Sequence, residues 1–125
     1  MIPGTVKIGP VVYLIAQVDK LEDDDYGMCD SHTQMIYISK DQSAQHVTDT
    51  LLHEIMHAIW HESGLFSVKR PDEEQIVRTT STWLTMVLRE NPAVAALIIN
   101  PQPAWPYSPQ PRGDSQHVKL SLIHI

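Results

Sequence analysis

The sequence predicts a single domain of the α+β class, in which strands come first and helices follow. Two early segments are rich in Val, Ile and Tyr, the residues that favour strands. Beyond residue 43, apolar residues recur every three or four positions, which is the spacing of one helix face. The 125 residues are enough for one compact domain with a modest core.

The strand segments lie within the first 39 residues. Residues 6–18 are interrupted by Gly9 and Pro10, so they form either one strand or a strand and a bend. Met35–Ser39 alternates in polarity and predicts a second strand. That strand has two interpretations: a free edge that pairs with an extended peptide, or an ordinary place in the sheet.

Three helices are predicted in the second part of the domain. The first runs from about residue 44 to residue 63, after an N-cap at Asp41 or Ser43 and before Gly64 at the C′ position. The second begins near Asp72 and ends before Pro92, which cannot continue a helix. Pro92 then opens a short third helix that reaches about residue 99.

The composition changes after residue 100. Residues 101–111 contain five prolines, which predicts a polyproline-like or disordered tail. We therefore expect a folded domain at 1–100 and a Pro-rich tail at 101–125. Residues 120–125 look foreign to the rest, and we treat them as candidates for non-native sequence.

The charge and composition of the chain limit the kinds of binding partner that we expect. The net charge of −6 argues against nucleic acid and anionic membrane, and there is no run of basic residues. The acidic segment 19–25 lacks the spacing of a calcium loop. The sequence shows neither a signal peptide nor an apolar run of membrane-spanning length, so we expect a cytoplasmic protein.

The segment with the clearest chemistry is His53-Glu54-Ile55-Met56-His57, on the first predicted helix. Residues four apart share a helix face, so His53 and His57 can direct two imidazoles at one ion. Glu54 is offset by about 100° and can flank the ion as a general base. The pattern favours Zn²⁺, one ion per chain. The alternative is a helix with two partly buried histidines, whose burial without a ligand would carry a desolvation cost.

A catalytic zinc site needs a third protein ligand and an open position. His61 lies about 12 Å along the axis from His53, too far for one straight helix to close the site. Glu73 and Glu74, at the start of the second helix, are better candidates. A helical-wheel count favours Glu73, since it lies near the centre of the expected inward face. The alternative is that both acids only favour the positive end of the helix dipole. That inward face consists of Ile76, Val77, Thr80 and Leu84.

Other polar residues have weaker functional interpretations. Tyr26, His32 and Tyr37 are candidates for stabilising an oxyanion, and nothing in the sequence selects one of them. Cys29 lacks the features of a nucleophile and is interpreted as a packed thiol. Because Cys29 is the only cysteine in the sequence, an intrachain disulfide and metal sites built from several cysteines are excluded. A single thiol is compatible with a reducing cytosol.

Several segments resemble small phage and prophage zincin-like metallopeptidases, related in style to the ImmA/IrrE metallo-endopeptidase family. These segments are residues 26–30, 34–38, 50–60, 73–77 and 87–92. The resemblance implies His53 and His57 as zinc ligands, Glu54 as general base, and Glu73 or Glu74 as third ligand. It also implies a minimal zincin fold, with a small, mainly antiparallel sheet beside two core helices. The Glu-x-x-Ala-Asn pattern of ImmA/IrrE proteins is absent from the second helix.

The expected function is zinc-dependent hydrolysis of peptide bonds in a peptide or protein substrate. A second interpretation is a non-catalytic, zinc-stabilised binding module of a phage, in which the same ligands serve folding alone. A third is a metal-dependent nuclease of the ribosomal-RNA-processing kind. That group resembles His-Gly-x-Leu-His, whereas Glu54 stands in place of the glycine, and the acidic charge fits RNA poorly. The oligomeric state stays open.

Overall fold

The computed structural model describes residues 2–100, and these residues form a four-stranded sheet beside three α-helices. This arrangement confirms the α+β prediction and is compatible with the minimal zincin-like fold. The predicted tail at 101–125, including its last residues, lies outside the described part. The elements are β1 (Thr5–Ile8), β2 (Val11–Val18), β3 (Gly27–Asp30), β4 (Met35–Ser39), α1 (Ala44–Glu62), α2 (Glu73–Glu90) and α3 (Pro92–Ile99).

The strand order is β1-β2-β4-β3. The β1–β2 and β3–β4 pairings are antiparallel, and the central β2–β4 pairing is parallel, so the sheet is mixed but mainly antiparallel. The interpretation of Met35–Ser39 as an edge strand is wrong, because β4 pairs with β2 on one side and β3 on the other. An interior strand has no free backbone groups to offer a peptide.

The segment 6–18 divides into two strands rather than one. Its turn is made by Gly9, which has a φ of 61°, a left-handed value that glycine adopts without steric cost. A Cβ on Gly9 would also lie 2.5 Å from the ring of Trp83. The hairpin between β1 and β2 therefore depends on a glycine both for its turn and for its close packing on α2.

The core lies between one face of the sheet and α1. Ile36 and Ile38 of β4 face Leu51, Ile55 and Ile59 of α1, and the side chains of all five are at most 1% exposed. The later helices close the end of this layer with three further buried residues, Val87, Val94 and Leu97. The same packing holds α1 in a fixed position against β3 and β4.

The two edges of the sheet differ. At the β1 edge, the Asn91 side chain accepts a hydrogen bond from Lys7 N–H and donates one to Lys7 C=O, both at 2.9 Å. This amide occupies the backbone groups that another strand would use. At the opposite edge, β3 pairs with β4 alone among the described strands and runs beside α1. The edge nearest the His-Glu-x-x-His helix is thus the one open to an extended chain.

The helix boundaries agree closely with the sequence predictions. Ser43 caps α1 by accepting a hydrogen bond from His46 N–H, and Gly64 follows the helix with a left-handed φ of 84°. Asp72 caps α2 by accepting a hydrogen bond from Gln75 N–H at 2.7 Å. Within residues 2–100, none of the helices is both long and apolar enough to cross a membrane.

Candidate active site

Helix α1 places the two motif histidines side by side. The Nε2 atoms of His53 and His57 are 3.2 Å apart, and their ring centroids are 4.9 Å apart. Two nitrogen ligands of a tetrahedral zinc ion, each about 2.0–2.1 Å from the metal, are about 3.3 Å apart. The paired nitrogens therefore fit one metal ion. Burial lowers the pKa of His53, and the neighbouring His57 adds to the effect, which favours the neutral form that ligates metals.

Glu54 lies beside this pair but is turned towards the sheet. Its side chain is buried, at 4% exposure, against β3. Burial raises the pKa of Glu54 to about 7, and the charge of Asp25 contributes to the rise. A carboxyl group with a pKa near neutrality can both accept and return a proton close to physiological pH.

A polar cleft of about 390 Å³ separates α1 from the β3 edge. It brings Glu54 together with both histidines of the motif, as the sequence predicted for this part of the site. Its wall on the sheet side is formed by β3 and its flanks. The lining residues are Asp25, Gly27, Met28, Cys29, Ser31, His53, Glu54, His57, Trp60 and His61.

A second cavity of about 520 Å³ lies on the other side of the histidines, between α1 and α2. It is mainly apolar. The two histidines and Trp60 belong to the walls of both cavities. We call this second cavity the apolar groove, and its lining residues are His53, Met56, His57, Trp60, Ile76 and Thr80.

The predicted third ligands stay apart from the histidine pair. Glu73 and Glu74 are both exposed, and Glu74 forms an ion pair with Arg78 at 3.1 Å. Among the described residues, no three His, Cys, Asp or Glu side chains come together as a metal-binding group. On α2, it is Ile76 and Thr80 that face the histidines, and Glu73 precedes them by three and seven positions, on the same side of the helix.

The remaining candidates occupy different places. His61 lines the polar cleft with its ring stacked on Phe66, at a centroid distance of 4.6 Å. Cys29 is a packed thiol whose pKa is raised to about 12, mainly by burial, so it stays protonated near neutral pH. The three oxyanion candidates are elsewhere among the described residues. Tyr26 is buried against His46, Tyr37 is on β4, and His32 is in the β3–β4 turn.

One comparison with known proteins gave a match. The family model of the IrrE N-terminal-like domain, named Peptidase_M78, matches residues 12–103. The chain belongs to this family. The IrrE-like match spans the sheet from β2 onward, the His-Glu-x-x-His helix and both later helices. It supports a metallopeptidase-type function and suggests a metal cofactor. The comparisons with curated proteins and with solved structures gave no match.

The sequence alone did not indicate several residues that line the candidate site. Gly27 permits β3 to approach Glu54, and a glycine inside a strand is a known indication of close backbone approach. The sequence places Ile76 and Thr80 on the inward face of the second helix without a role in the site, and in the structure they line the apolar groove. Val77, assigned to the same face, is 55% exposed. The inward face of α2 is therefore rotated away from Val77.

Proposed function

We propose that this IrrE-like domain is a zinc-dependent peptidase that hydrolyses peptide bonds with Glu54 as general base. The observation that carries the proposal is the placement of Glu54 in one cleft with a histidine pair whose nitrogens are 3.2 Å apart. A buried carboxyl group, two adjacent imidazoles and an open cleft are the parts that metal-assisted hydrolysis requires.

In this proposal, His53 and His57 hold the metal, and Glu73 completes the ligand set. Glu73 is preferred to Glu74 because it shares the side of α2 that bears Ile76 and Thr80, whereas Glu74 pairs with Arg78 on the exposed surface. Imidazole and carboxylate ligands are the usual set for catalytic zinc. When bound, zinc supplies Lewis-acid polarisation of the scissile carbonyl and lowers the pKa of water.

Glu54 moves the proton. Its carboxylate accepts a proton from the attacking water and then gives that proton to the amine of the leaving peptide. Because its pKa is raised to about 7, both protonation states are accessible near neutral pH. Its burial against β3 holds the carboxylate beside the cleft and excludes bulk water from one side of it.

The open edge of β3 is the proposed binding place for the substrate chain. Gly27–Asp30 forms one wall of the polar cleft, and an extended peptide can add to a free strand edge through main-chain hydrogen bonds. The capped edge at β1 cannot take this role, because Asn91 occupies it. The partner that we propose is a peptide or protein rather than nucleic acid. By resemblance, we propose a phage- or prophage-encoded protein of the bacterial cytoplasm.

The test measures zinc and turnover separately. Elemental analysis of the full-length wild type, purified without added zinc, should give about one zinc per chain. His53→Ala should lose the metal, and His61→Ala is the matched control that should keep it. Glu54→Gln should keep zinc but no longer cleave a mixture of random-sequence fluorogenic peptides. A Glu54→Gln protein as active as wild type would remove the general base from the mechanism.

The same experiment separates the alternative function. A zinc-stabilised binding module predicts one zinc per chain but no cleavage by the wild type under any condition, together with unfolding on zinc removal. A peptidase predicts cleavage that disappears with Glu54→Gln and with chelation. A folded wild-type protein that binds no zinc would contradict both functions.

A further inference from the structure

We propose that the apolar groove is a specificity pocket, which takes a bulky aliphatic side chain of the substrate residue next to the cleaved bond. This inference rests on the proposed function, because it assigns a substrate class to the same site. It adds a selection rule to the main-chain binding at β3, which by itself does not distinguish one peptide sequence from another.

The first argument is continuity. His53 and His57 form part of the wall of the apolar groove as well as part of the polar cleft. A carbonyl group held at the histidine pair is therefore at the mouth of the groove. One residue of an extended chain spans only about 3.3–3.6 Å, so the side chain that enters the groove belongs to a residue flanking that carbonyl.

The second argument is chemistry. Besides the two histidines, the residues that line the groove are Met56, Trp60, Ile76 and Thr80. No Asp, Glu, Lys or Arg is among its lining residues. A charged side chain entering it would lose hydration without gaining a partner, which is unfavourable. An aliphatic side chain would lose no hydrogen bonds and would bury apolar surface.

The third argument is that the two cavities beside the histidine pair differ in polarity. The polar cleft carries Asp25, Ser31 and Glu54, and an apolar side chain placed there would cover groups that need water or a polar partner. The apolar groove has a volume of about 520 Å³, enough for a branched side chain, and the flexible Met56 can adapt to its shape. The two sides of the histidine pair thus select opposite kinds of side chain.

The experiment measures binding rather than cleavage. Amino-acid hydroxamates that share one metal-binding group and differ only in side chain, with leucine, alanine, lysine and glutamate members, are titrated into the zinc-loaded full-length protein by calorimetry. We expect the leucine compound to bind at least about tenfold more tightly than the alanine compound, as apolar pockets discriminate by tens of fold. The lysine and glutamate compounds should bind more weakly still.

Two variants of α2 test the location. Ile76→Ser should remove most of the preference for leucine, while Val77→Ser, its neighbour on the exposed side at 55%, is the matched control that should keep it. Thr80→Glu should reverse the preference, so that the lysine compound binds more tightly than the leucine compound. Because Ile76 and Thr80 are both partly exposed, both variants are expected to fold, and circular dichroism checks this.

Each outcome decides the proposal. Equal affinities for the four compounds, no binding of any of them, or an unchanged preference in Thr80→Glu would overturn it. A leucine affinity that falls as the protein concentration rises would also overturn it, since a second copy would then occupy the groove. A protein that prefers leucine but cleaves nothing would keep the pocket and lose the proposed peptidase. A protein that cleaves peptides without preferring leucine would keep the proposed peptidase and lose the pocket.

Discussion

Gly27 and Glu54 are in such close contact that β3 has no room for a side chain at this position. A Cβ on Gly27 would lie 2.9 Å from Glu54 Oε2 and 2.6 Å from Thr50 Cγ2. The orientation of Glu54, the proposed general base, therefore depends on the absence of a side chain at Gly27 of β3. The glycine serves close approach, since its φ is not among the positive values of the chain.

Gly27→Ala should displace the Glu54 carboxylate and lower turnover by at least about tenfold, because small shifts of a catalytic group are costly. Zinc binding should persist, since the three heavy atoms nearest to the new methyl group belong to Thr50 and Glu54 rather than to the histidines. Overpacking should also lower the free energy of unfolding by about 1–3 kcal/mol. Peptide cleavage, elemental analysis and urea unfolding measure the three effects.

The matched control for this variant is Gly4→Ala. A Cβ on Gly4 meets nothing within 4 Å, and Gly4 has no positive φ. Its turnover and stability should stay close to those of the wild type. If Gly27→Ala kept full turnover, the position of Glu54 against β3 would not matter for its function.

The buried charge of Glu54 predicts that the metal-free protein becomes less stable as the pH rises. The pKa of Glu54 is raised from 4.5 to about 7 on folding, so the folded state binds the extra proton between these values. The resulting stability is fully present below about pH 4.5 and is lost as the pH passes through about 7. Since one pKa unit corresponds to 1.36 kcal/mol, the loss is about 3 kcal/mol.

Glu54→Gln removes this titration and should make the chelated protein more stable than the wild type at pH 8, with little difference at pH 4.5. Urea unfolding at a series of pH values measures the effect, and the difference between the two proteins isolates Glu54 from other titrating groups. Asp49→Asn, which removes a carboxylate at an exposed position on the same helix and keeps Glu54, is the control. A constant difference at all pH values would mean that Glu54 is ionised in a solvated environment.

The choice between Glu73 and Glu74 as third ligand predicts different zinc affinities for two neighbouring variants. Glu73→Gln should weaken zinc binding by at least about tenfold, since a catalytic site relies on three protein ligands. Glu74→Gln breaks only the exposed ion pair with Arg78 and should leave the affinity unchanged. Competition titration with a chromogenic chelator gives both values. The opposite result would assign the role to Glu74, and no effect in either variant would exclude both.

Much of the fold and the first half of the site could be predicted because their determinants are local. The spacing of His53 and His57 places them on one face of any α-helix, so their 3.2 Å approach needs only the helix itself. Ser43 and Gly64 end the same helix through contacts within a few residues. Local residue patterns likewise predict that the strands come first in the chain and the helices follow.

The rest depends on contacts between distant parts of the chain. β3 is four residues long and contains Gly27 and Asp30, residue types that are depleted in strands, so its own pattern does not predict it. It is a strand because β4 pairs with it. That pairing makes β4 interior and β3 the open edge, so of the two interpretations of Met35–Ser39 the free edge is wrong and the ordinary place in the sheet is right. The approach of Ile76 to the histidines depends in the same way on how α2 packs against α1.

Gln42 connects β3, β4 and α1, and its loss should destabilise the wall of the polar cleft. Its buried Nε2 donates hydrogen bonds to Tyr26 C=O at 3.0 Å and Ser39 C=O at 2.6 Å, and its Oε1 accepts one from Thr50 Oγ1 at 2.7 Å. Gln42→Ala removes the partner of Thr50 Oγ1 and one donor to Ser39 C=O, while Tyr26 C=O keeps its hydrogen bond from Ser39 N–H at 2.9 Å. The free energy of unfolding should therefore fall by about 2–4 kcal/mol.

Turnover of the folded Gln42→Ala protein should also fall, since Tyr26 directly precedes the strand that holds Glu54 in place. Gln45→Ala is the matched control, because Gln45 is exposed in the first turn of α1 and alanine has a higher helix propensity. Urea unfolding at pH 7 with zinc present, followed by peptide cleavage in dilute urea, measures both effects. Equal stabilities for the two variants would mean that water replaces the amide at Gln42, and that β3 is held against α1 by apolar packing alone.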